Sequence, residues 1–255
     1  MKIIVLVKQV PDTWGERHID TASGLLDRTE SGRVMDEINE RALEVALKAK
    51  DADKNTEILL MCMGPPSAVE ALRKGLSMGA DSAVHIVDDA FVGSDAALTA
   101  TALAAALKGW IYDVIIAGNE STDGRGGVIP AMLAEHLGHP LLSALNNVEL
   151  SRGAVSGQRG TEYGTQQLHA PLPAVISITE SSPDARFPNF KGIMTAKRKP
   201  LTTVTLAALG IEPAAARSVV AAVQERPART AGIKVVDEGN AGVELAEFLV
   251  NSRLV

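Results

Sequence analysis

The sequence predicts an α/β fold, a doubly wound and mostly parallel sheet with an antiparallel extension and a C-terminal arm, and three observations carry that prediction. First, the runs at 2–7, 57–63, 82–87 and 114–117 are dominated by Ile, Val, Leu, Met and Ala, the composition of strands buried on both faces. Second, they alternate with the segments 36–50, 67–78 and 94–108, where apolar residues recur at helical spacing. Third, Gly, Pro or Asp punctuates the junctions. Such alternation implies right-handed βαβ crossovers and a parallel sheet covered by helices. Ligands of such sheets sit beyond the carboxyl ends of the strands.

Taken in order, residues 2–7 read as the first strand. The polar connection 8–33, with Pro11, Gly15, Gly24 and Gly32, is long enough to imply a functional or unordered loop. A helix follows over 36–50, with Ile38, Ala42, Val45, Ala46 and Ala49 on one face and Asp36 or Asn39 as its cap. The strand 57–63 closes at Gly64-Pro65-Pro66, and Ser67-Ala68-Val69-Glu70 has the spacing of a capping box opening a helix that runs to Met78. Gly79-Ala80-Asp81 turns into strand 82–87, and an alanine-rich helix spans 94–108. After the strand 114–117, which Gly118 ends, helical period returns at Val128, with Pro130 in the first turn, and Gly138 and Pro140 as stop signals. Beyond Pro140, residues 148–150, 154–158 and 165–169 read as antiparallel strands, and 172–178 as a returning buried strand.

The stretch between strand 114–117 and its helix has the most pointed chemistry. Asn119, Glu120, Ser121, Thr122 and Asp123 offer polar side chains, and Gly124, Gly126 and Gly127 permit positive φ or close approach to a ligand. A strand, a glycine-rich turn and a helix N-terminus leave unpaired N–H groups at the positive end of a helix dipole, which favours phosphate and makes an adenine nucleotide the natural guest. Neither nucleotide fingerprint is complete: Val128 follows Gly126-Gly127 where a phosphate loop has Lys, and Ile129 stands where a dinucleotide turn has its third Gly. By itself the turn is equally a tight connection. The ends of the first two parallel strands, at 8–11 and 63–65, should converge on the same crevice, which raises the ligand reading above the bland one.

A chain of 255 residues that is 46% hydrophobic and 22% charged is expected to be globular. Its formal net charge of −6 and lack of a basic stripe with interleaved aromatics argue against nucleic acid. The apolar run at the N-terminus is too short for a signal peptide or membrane span. The single Cys62 fits a reducing cytoplasm, buried between Met61 and Met63 rather than reactive. His136 and His139 read as surface and cap residues, short of a metal set. Residues 181–200 form a Pro/Gly-punctuated loop in which Phe187 and Phe190 either fold back on the core or protrude as an anchor for a partner. Its basic end, Lys197-Arg198-Lys199, is a solvated face or a guide for an acidic partner. Residues 212–229 read as an arm or linker, and 241–254 as an amphipathic helix with Leu245, Phe248 and Leu249 on one side.

Seven collinear motifs carry a resemblance over essentially the full length: I-I-V-L-V-K-Q-V-P-D-T (3–13), D-E-I-N-E-R-A (36–42), R-K-G-L-S-M-G-A-D (73–81), A-G-N-E-S-T-D-G (117–124), L-P-A-V-I-S (172–177), R-F-P-N-F-K-G-I-M-T-A-K (186–197) and R-T-A-G-I-K-V (229–235). The chain resembles the β subunits of electron transfer flavoproteins, most closely their actinobacterial branch. The resemblance implies a Rossmann-like domain with a buried structural AMP, in a heterodimer whose α subunit holds most of a redox-active FAD. It places AMP on Leu6, on Asp36, Glu37, Ile38 and Asn39, on Met63, on Gly118, Asn119, Glu120, Ser121, Thr122, Asp123 and Gly124, and on Arg125, Gly126, Gly127, Val128 and Ile129. It also implies a recognition loop for partner dehydrogenases, with the projecting side chain at Phe190 and Arg186, Phe187, Lys191, Ile193, Met194 and Lys197 around it.

On this reading residues 1–205 are the nucleotide-binding domain, including the loop 181–200, and 206–255 are the linker and arm that embrace the α subunit. The function implied is electron carriage from acyl-CoA or related dehydrogenases to a quinone-linked oxidoreductase, with no catalytic acid, base or nucleophile in this chain and no membrane insertion. Two alternatives are a bifurcating subunit with a second FAD in place of AMP, and a free-standing adenine-nucleotide sensor. Many relatives read D-G-D-T-x-Q-V-G-P in the nucleotide turn; here Arg125 either pairs with phosphate or points to solvent. Some carry a Glu where Gly160 stands, paired to the loop arginine, and Glu162 is the residue offered as its substitute.

Overall fold

A computed structural model describes residues 1–28, 32–224, 226–228, 231–232 and 234–255. The parts of the predicted connection 8–33, of the linker 212–229 and of the motif 229–235 that fall on residues 29–31, 225, 229, 230 and 233 lie outside the described residues. The chain divides into two compact units, Met1–Ala222 and Val223–Val255. The first runs β1 (Lys2–Leu6), β2 (Gln9–Pro11), β3 (Arg33–Met35), α1 (Glu37–Ala52), β4 (Glu57–Met63), α2 (Val69–Met78), β5 (Ser82–Ile86), α3 (Ala96–Leu107), β6 (Val114–Gly118) and α4 (Ile129–Leu137). It continues through β7 (Leu141–Leu145), β8 (Asn147–Ser151), β9 (Ala154–Thr161), β10 (Gly164–Pro171), β11 (Ala174–Ile178), α5 (Phe190–Ala196) and β12 (Leu201–Val204).

Seven strands form one wholly parallel sheet in the order β12-β5-β4-β1-β6-β11-β7. β8, β9 and β10 pair antiparallel as the predicted extension. Along each central strand alternate side chains enter opposite cores. Ile3, Val5, Ile58, Leu60, Val114 and Ile116 pack with α1 and α2; Ile4, Leu6, Leu59, Met61, Ile115 and Ala117 pack with α3 and α4. This two-sided burial is why the strands read as nearly continuous apolar runs. The chain adds β4 and then β5 on one side of β1, then crosses back to place β6 on the other. The switch point therefore lies between β1 and β6, and their carboxyl ends, Leu6 and Gly118, flank the crevice.

Several local expectations are corrected. Ser67 does not cap α2: its hydroxyl donates to Gln9 Oε1 at 2.7 Å, a 3-10 turn over Pro66–Ala68 precedes the helix, and the cap residue Ala68 makes no side-chain cap bond. Gln9 is buried, so its amide needs partners; its Nε2 also donates to the Ser67 carbonyl at 2.8 Å, and that demand removes Ser67 from capping. Asp36 rather than Asn39 caps α1, accepting from Ile38 N at 3.0 Å. The buried face of α1 includes Leu43 and Leu47, with Val45 and Ala49 only half-buried. Gly75 makes that possible, because a Cβ there would lie 2.5 Å from Leu60 Cδ1 and 3.4 Å from Leu43 Cδ2. β7 and β12, unforeseen, are the edge strands of the sheet, where half-exposed residues blur the apolar signal. The loop 181–200 contains the helix α5, capped by Asn189, which accepts from Gly192 N at 2.7 Å.

The second unit contains α6 (Ala241–Asn251). Its apolar side chains Leu245 and Phe248 are exposed. Among the described residues, no helix is long and apolar enough to cross a membrane.

Candidate functional site

At the carboxyl ends of β1 and β6 the backbone approaches so closely that only glycine fits at 118. A Cβ there would meet Asn39 Nδ2 at 2.7 Å and Ile38 Cγ2 at 3.0 Å. This contact brings the start of α1 against the end of β6. Asn39 Oδ1 accepts from Lys8 N at 2.8 Å, and Asp36 joins the turn, one oxygen accepting from Thr122 N at 2.7 Å and Thr122 Oγ1 at 2.9 Å. Residue 8, the start of α1 and the turn after β6, far apart in sequence, are thus joined into one crevice; of the three predicted strand ends, 8–11 and 118–127 meet here, and the start of α1 takes the place expected of 63–65.

The turn itself has two halves. In the first, Ser121, Thr122 and Asp123 are engaged with protein partners. Lys8 Nζ reaches Ser121 Oγ at 3.1 Å and Asp123 Oδ1 at 2.7 Å, Arg28 reaches Asp123 Oδ2 at 3.2 Å, and Gly124 N donates back to Asp123 at 2.6 Å. In the second, Gly124, Arg125, Gly126, Gly127 and Val128 are exposed, and Gly127 has φ 65°. The N–H groups of Gly126, Gly127, Val128 and Ile129 take no hydrogen-bond partner among the described residues. Among the described residues no side chain caps α4, whose helix starts at Ile129 with Pro in its first turn. Free amides at a helix N-terminus suit an anion. Asn119 Oδ1 is buried without a partner among the described residues, a spare acceptor beside the crevice. These residues fit a nucleotide phosphate and an adjoining donor group.

Of the remaining positions predicted for the nucleotide, Leu6, Asp36, Ile38 and Asn39 are buried, Met63 and Glu120 are half-buried, and Glu37 is exposed. Arg125 is exposed with φ 47°; its N donates to the Ser121 carbonyl at 3.0 Å. Two cavities, of about 340 Å³ and about 750 Å³, open instead at the amino ends of the strands, lined by residues such as Glu57, Asp81 and Trp110 or Asp53, Asp113 and Arg152. Neither includes a residue of the turn.

Burial acts to raise the Asp123 carboxyl, but the charge and hydrogen bond of Lys8, with bonds from Ser121 and Gly124 N, outweigh it and hold the group at about 2, below the ordinary 3.8. A carboxyl depressed on folding stabilises the protein fully above its unfolded value and loses that contribution as pH falls from about 3.8 through about 2. With Lys8 40% exposed and so screened, the contribution is roughly 1–2 kcal/mol. Urea titrations at pH 5 and pH 2.5 should show the wild type losing that much more stability than Asp123→Asn; equal losses would dissociate Asp123 from the acid response.

The second predicted site is a platform built on α5. Phe187 is 93% and Phe190 80% exposed, with Ile193 and Met194 also exposed, so neither phenylalanine folds back on the core. Lys191 and Lys197 are exposed beside them. Lys199 leaves the basic face: its Nζ donates to the Leu76 and Ala80 carbonyls at 2.9 and 2.6 Å, closing the C-terminus of α2. Glu162 does not anchor the loop arginine. Arg186 Nε and NH2 meet Glu44 at 2.8 and 2.9 Å, and NH1 meets Asp51 at 2.8 Å, while Glu162 is exposed in the β9–β10 turn. Glu44 is buried on α1, and a buried carboxylate must be paired and hydrogen-bonded, which the Arg186 fork does with both oxygens. Arg41 adds bonds to the Ser182 carbonyl and to Asp184, the latter at 2.6 Å.

The reading from sequence had Lys8 only as part of the strand end 8–11 and missed Arg17, Arg28 and Glu44. Arg17 and Arg28 sit in a loop whose length alone pointed to function, and Glu44 interrupts the apolar face of α1. No spacing rule singles out these four.

A parallel sheet whose switch point carries a glycine-rich turn and a helix start defines the chain as a doubly wound α/β domain of the Rossmann class. Within that class, the chain belongs to the electron transfer flavoprotein family: the family model described as the electron transfer flavoprotein domain matches residues 24–209. It is 48% identical to the electron transfer flavoprotein subunit beta of Mycobacterium tuberculosis (strain H37Rv), over 99% of both chains. It is 34% identical to the subunit of the same name from Syntrophomonas wolfei, over 99% of this chain and 97% of the other. The subunit CarD of the caffeyl-CoA reductase-Etf complex of Acetobacterium woodii is 33% identical, over 84% and 82%. The chain accordingly has a β-subunit role in electron transfer.

Proposed function

We propose that this chain pairs with an electron transfer flavoprotein α subunit, holds a structural AMP, and carries electrons from acyl-CoA or related dehydrogenases to a quinone-linked oxidoreductase, with FAD held mainly by the α subunit. The observation that carries the nucleotide assignment is the row of unpartnered amides from Gly126 to Ile129 at the β1/β6 switch point. These N–H groups receive the phosphate, Asp36 and Asn39 fix the turn against β1, and the buried Asn119 Oδ1 accepts from the guest. When bound, FAD supplies the redox chemistry. The role of this chain is to position and to dock. Cys62 is no nucleophile, since burial pushes its thiol up to about 12. His85, its pKa lowered by burial, shares a hydrogen bond with the Gly64 carbonyl.

Pairing is supported by the full-length likeness to proteins named as β subunits and by the exposed apolar side chains of α6, a face that an α subunit would cover. Docking is supported by Phe187, Phe190, Ile193 and Met194, an exposed apolar cluster of the kind that marks an interface. The relative named for a caffeyl-CoA reductase complex favours partners that act on CoA thioesters. Co-expression with the α subunit should give a co-eluting heterodimer that contains flavin and releases AMP on denaturation. A monomer without flavin would overturn the carrier assignment, and FAD in place of AMP would make it a bifurcating one. Phe190→Ala should slow reduction by the dehydrogenase at least about tenfold while heterodimer and flavin stay intact; an unchanged rate would move the docking site elsewhere.

A further inference from the structure

Resting on that nucleotide assignment, we propose that Arg17 and Arg28 are positioning residues for the nucleotide's phosphate, strapping the segment 12–28 to the turn so that the turn's free amides stay turned outward. Arg17 donates to the Thr122 carbonyl, to Thr122 Oγ1 at 3.3 Å and to the Pro11 carbonyl at 2.9 Å. Arg28 donates to the Gln9 carbonyl at 3.1 Å and to Asp123 Oδ2 at 3.2 Å. Each guanidinium therefore ties β2 to the turn, and a planar fork does so with its geometry fixed. Arg17 Nε is buried with no partner among the described residues, so the side chain is held by its two terminal nitrogens.

The electrostatic need is plain. Phosphate binds beside Asp123, a carboxylate that stays ionised, and beside the lone pairs of the Thr122 carbonyl. Unopposed, both would repel it. Lys8, Arg17 and Arg28 together set three cations against the two carboxylates Asp36 and Asp123, leaving the cluster with one net positive charge. The same contacts commit the first half of the turn: Thr122 N goes to Asp36, Gly124 N to Asp123 and Arg125 N to the Ser121 carbonyl. What remains for a ligand is the run from Gly126 to Ile129. The arginines act through the turn and through its charge balance, rather than by replacing the amides.

The test uses the heterodimer depleted of nucleotide, with AMP and adenosine titrated separately by calorimetry. Arg17→Gln and Arg28→Gln should each weaken AMP about tenfold, an amount consistent with one charge-assisted hydrogen bond, while adenosine affinity stays unchanged. Arg28→Lys, which keeps the charge opposite Asp123, should recover most of the AMP affinity. Equal weakening of AMP and adenosine, or no change in either, would overturn the positioning role. If a glutamine variant does not assemble, the Arg28→Lys heterodimer decides: AMP affinity as in wild type supports the charge argument, and a loss shared by adenosine refutes it. Failure of the wild type itself to release or bind AMP would instead defeat the nucleotide assignment on which the proposal rests.

Discussion

Asp36→Ala lowers stability by about 3 kcal/mol and leaves the purified heterodimer without nucleotide. Asp36 is fully buried and serves two structures at once. One carboxylate oxygen caps α1 through Ile38 N at 3.0 Å; the other accepts from both Thr122 N and Thr122 Oγ1. Losing the cap costs about 1 kcal/mol, and leaving the Thr122 N–H without its acceptor costs roughly 1–3 kcal/mol more. Asp36→Asn should rescue little. All three partners are donors, so an amide NH₂ placed on either side meets an N–H or O–H instead of accepting from it. The measurement is a urea midpoint shift at constant m-value, with released nucleotide quantified by mass spectrometry. A loss under about 1 kcal/mol with nucleotide retained would show that Thr122 is held from elsewhere.

Gly192→Ala weakens docking as much as Phe190→Ala does while sparing the nucleotide crevice. Helix propensity alone predicts the opposite sign, since Ala favours a helix over Gly by up to about 1 kcal/mol. Tertiary packing reverses it. A Cβ at 192 would lie 2.1 Å from the Ser77 carbonyl oxygen, a backbone atom of α2, and no side-chain rotation relieves such a contact. α5 must shift, carrying Phe190, Ile193 and Met194 with it. Overpacking of this kind costs about 1–3 kcal/mol, and Arg186, held to Glu44 and Asp51, confines the damage to the helix. Stopped-flow reduction by the partner dehydrogenase should slow as much as for Phe190→Ala, with AMP content unchanged. A rate equal to wild type would mean that α5 is not the docking platform.

The core strands and the glycine-rich turn were legible because both are local. A strand buried on two faces is apolar at nearly every position, and a tight turn with positive φ favours glycine; neither needs to know what lies next to it. The edge strands β7 and β12 were not legible, since one flank of each meets solvent and its apolar pattern is diluted. Ser67 shows how a correct local signal loses. The capping spacing is present, but a buried Gln9 from a distant strand takes the hydroxyl. The anchor of Arg186 illustrates the same limit in charge: Glu162 is nearer in sequence and exposed, whereas Glu44 is 142 positions away and buried.

By itself, the order of residues determined the parallel α/β class, the antiparallel extension and the glycine-rich turn after β6, because hydrophobic period and backbone permissiveness act within a few residues. Only the tertiary structure decided that β6 returns to the far side of β1, that Lys8 and Arg28 neutralise Asp123 while Arg17 holds Thr122, and that α5 packs on α2 with its phenylalanine exposed. Those features are long-range pairings of charge and volume, and a pairing is a property of two places in the chain at once.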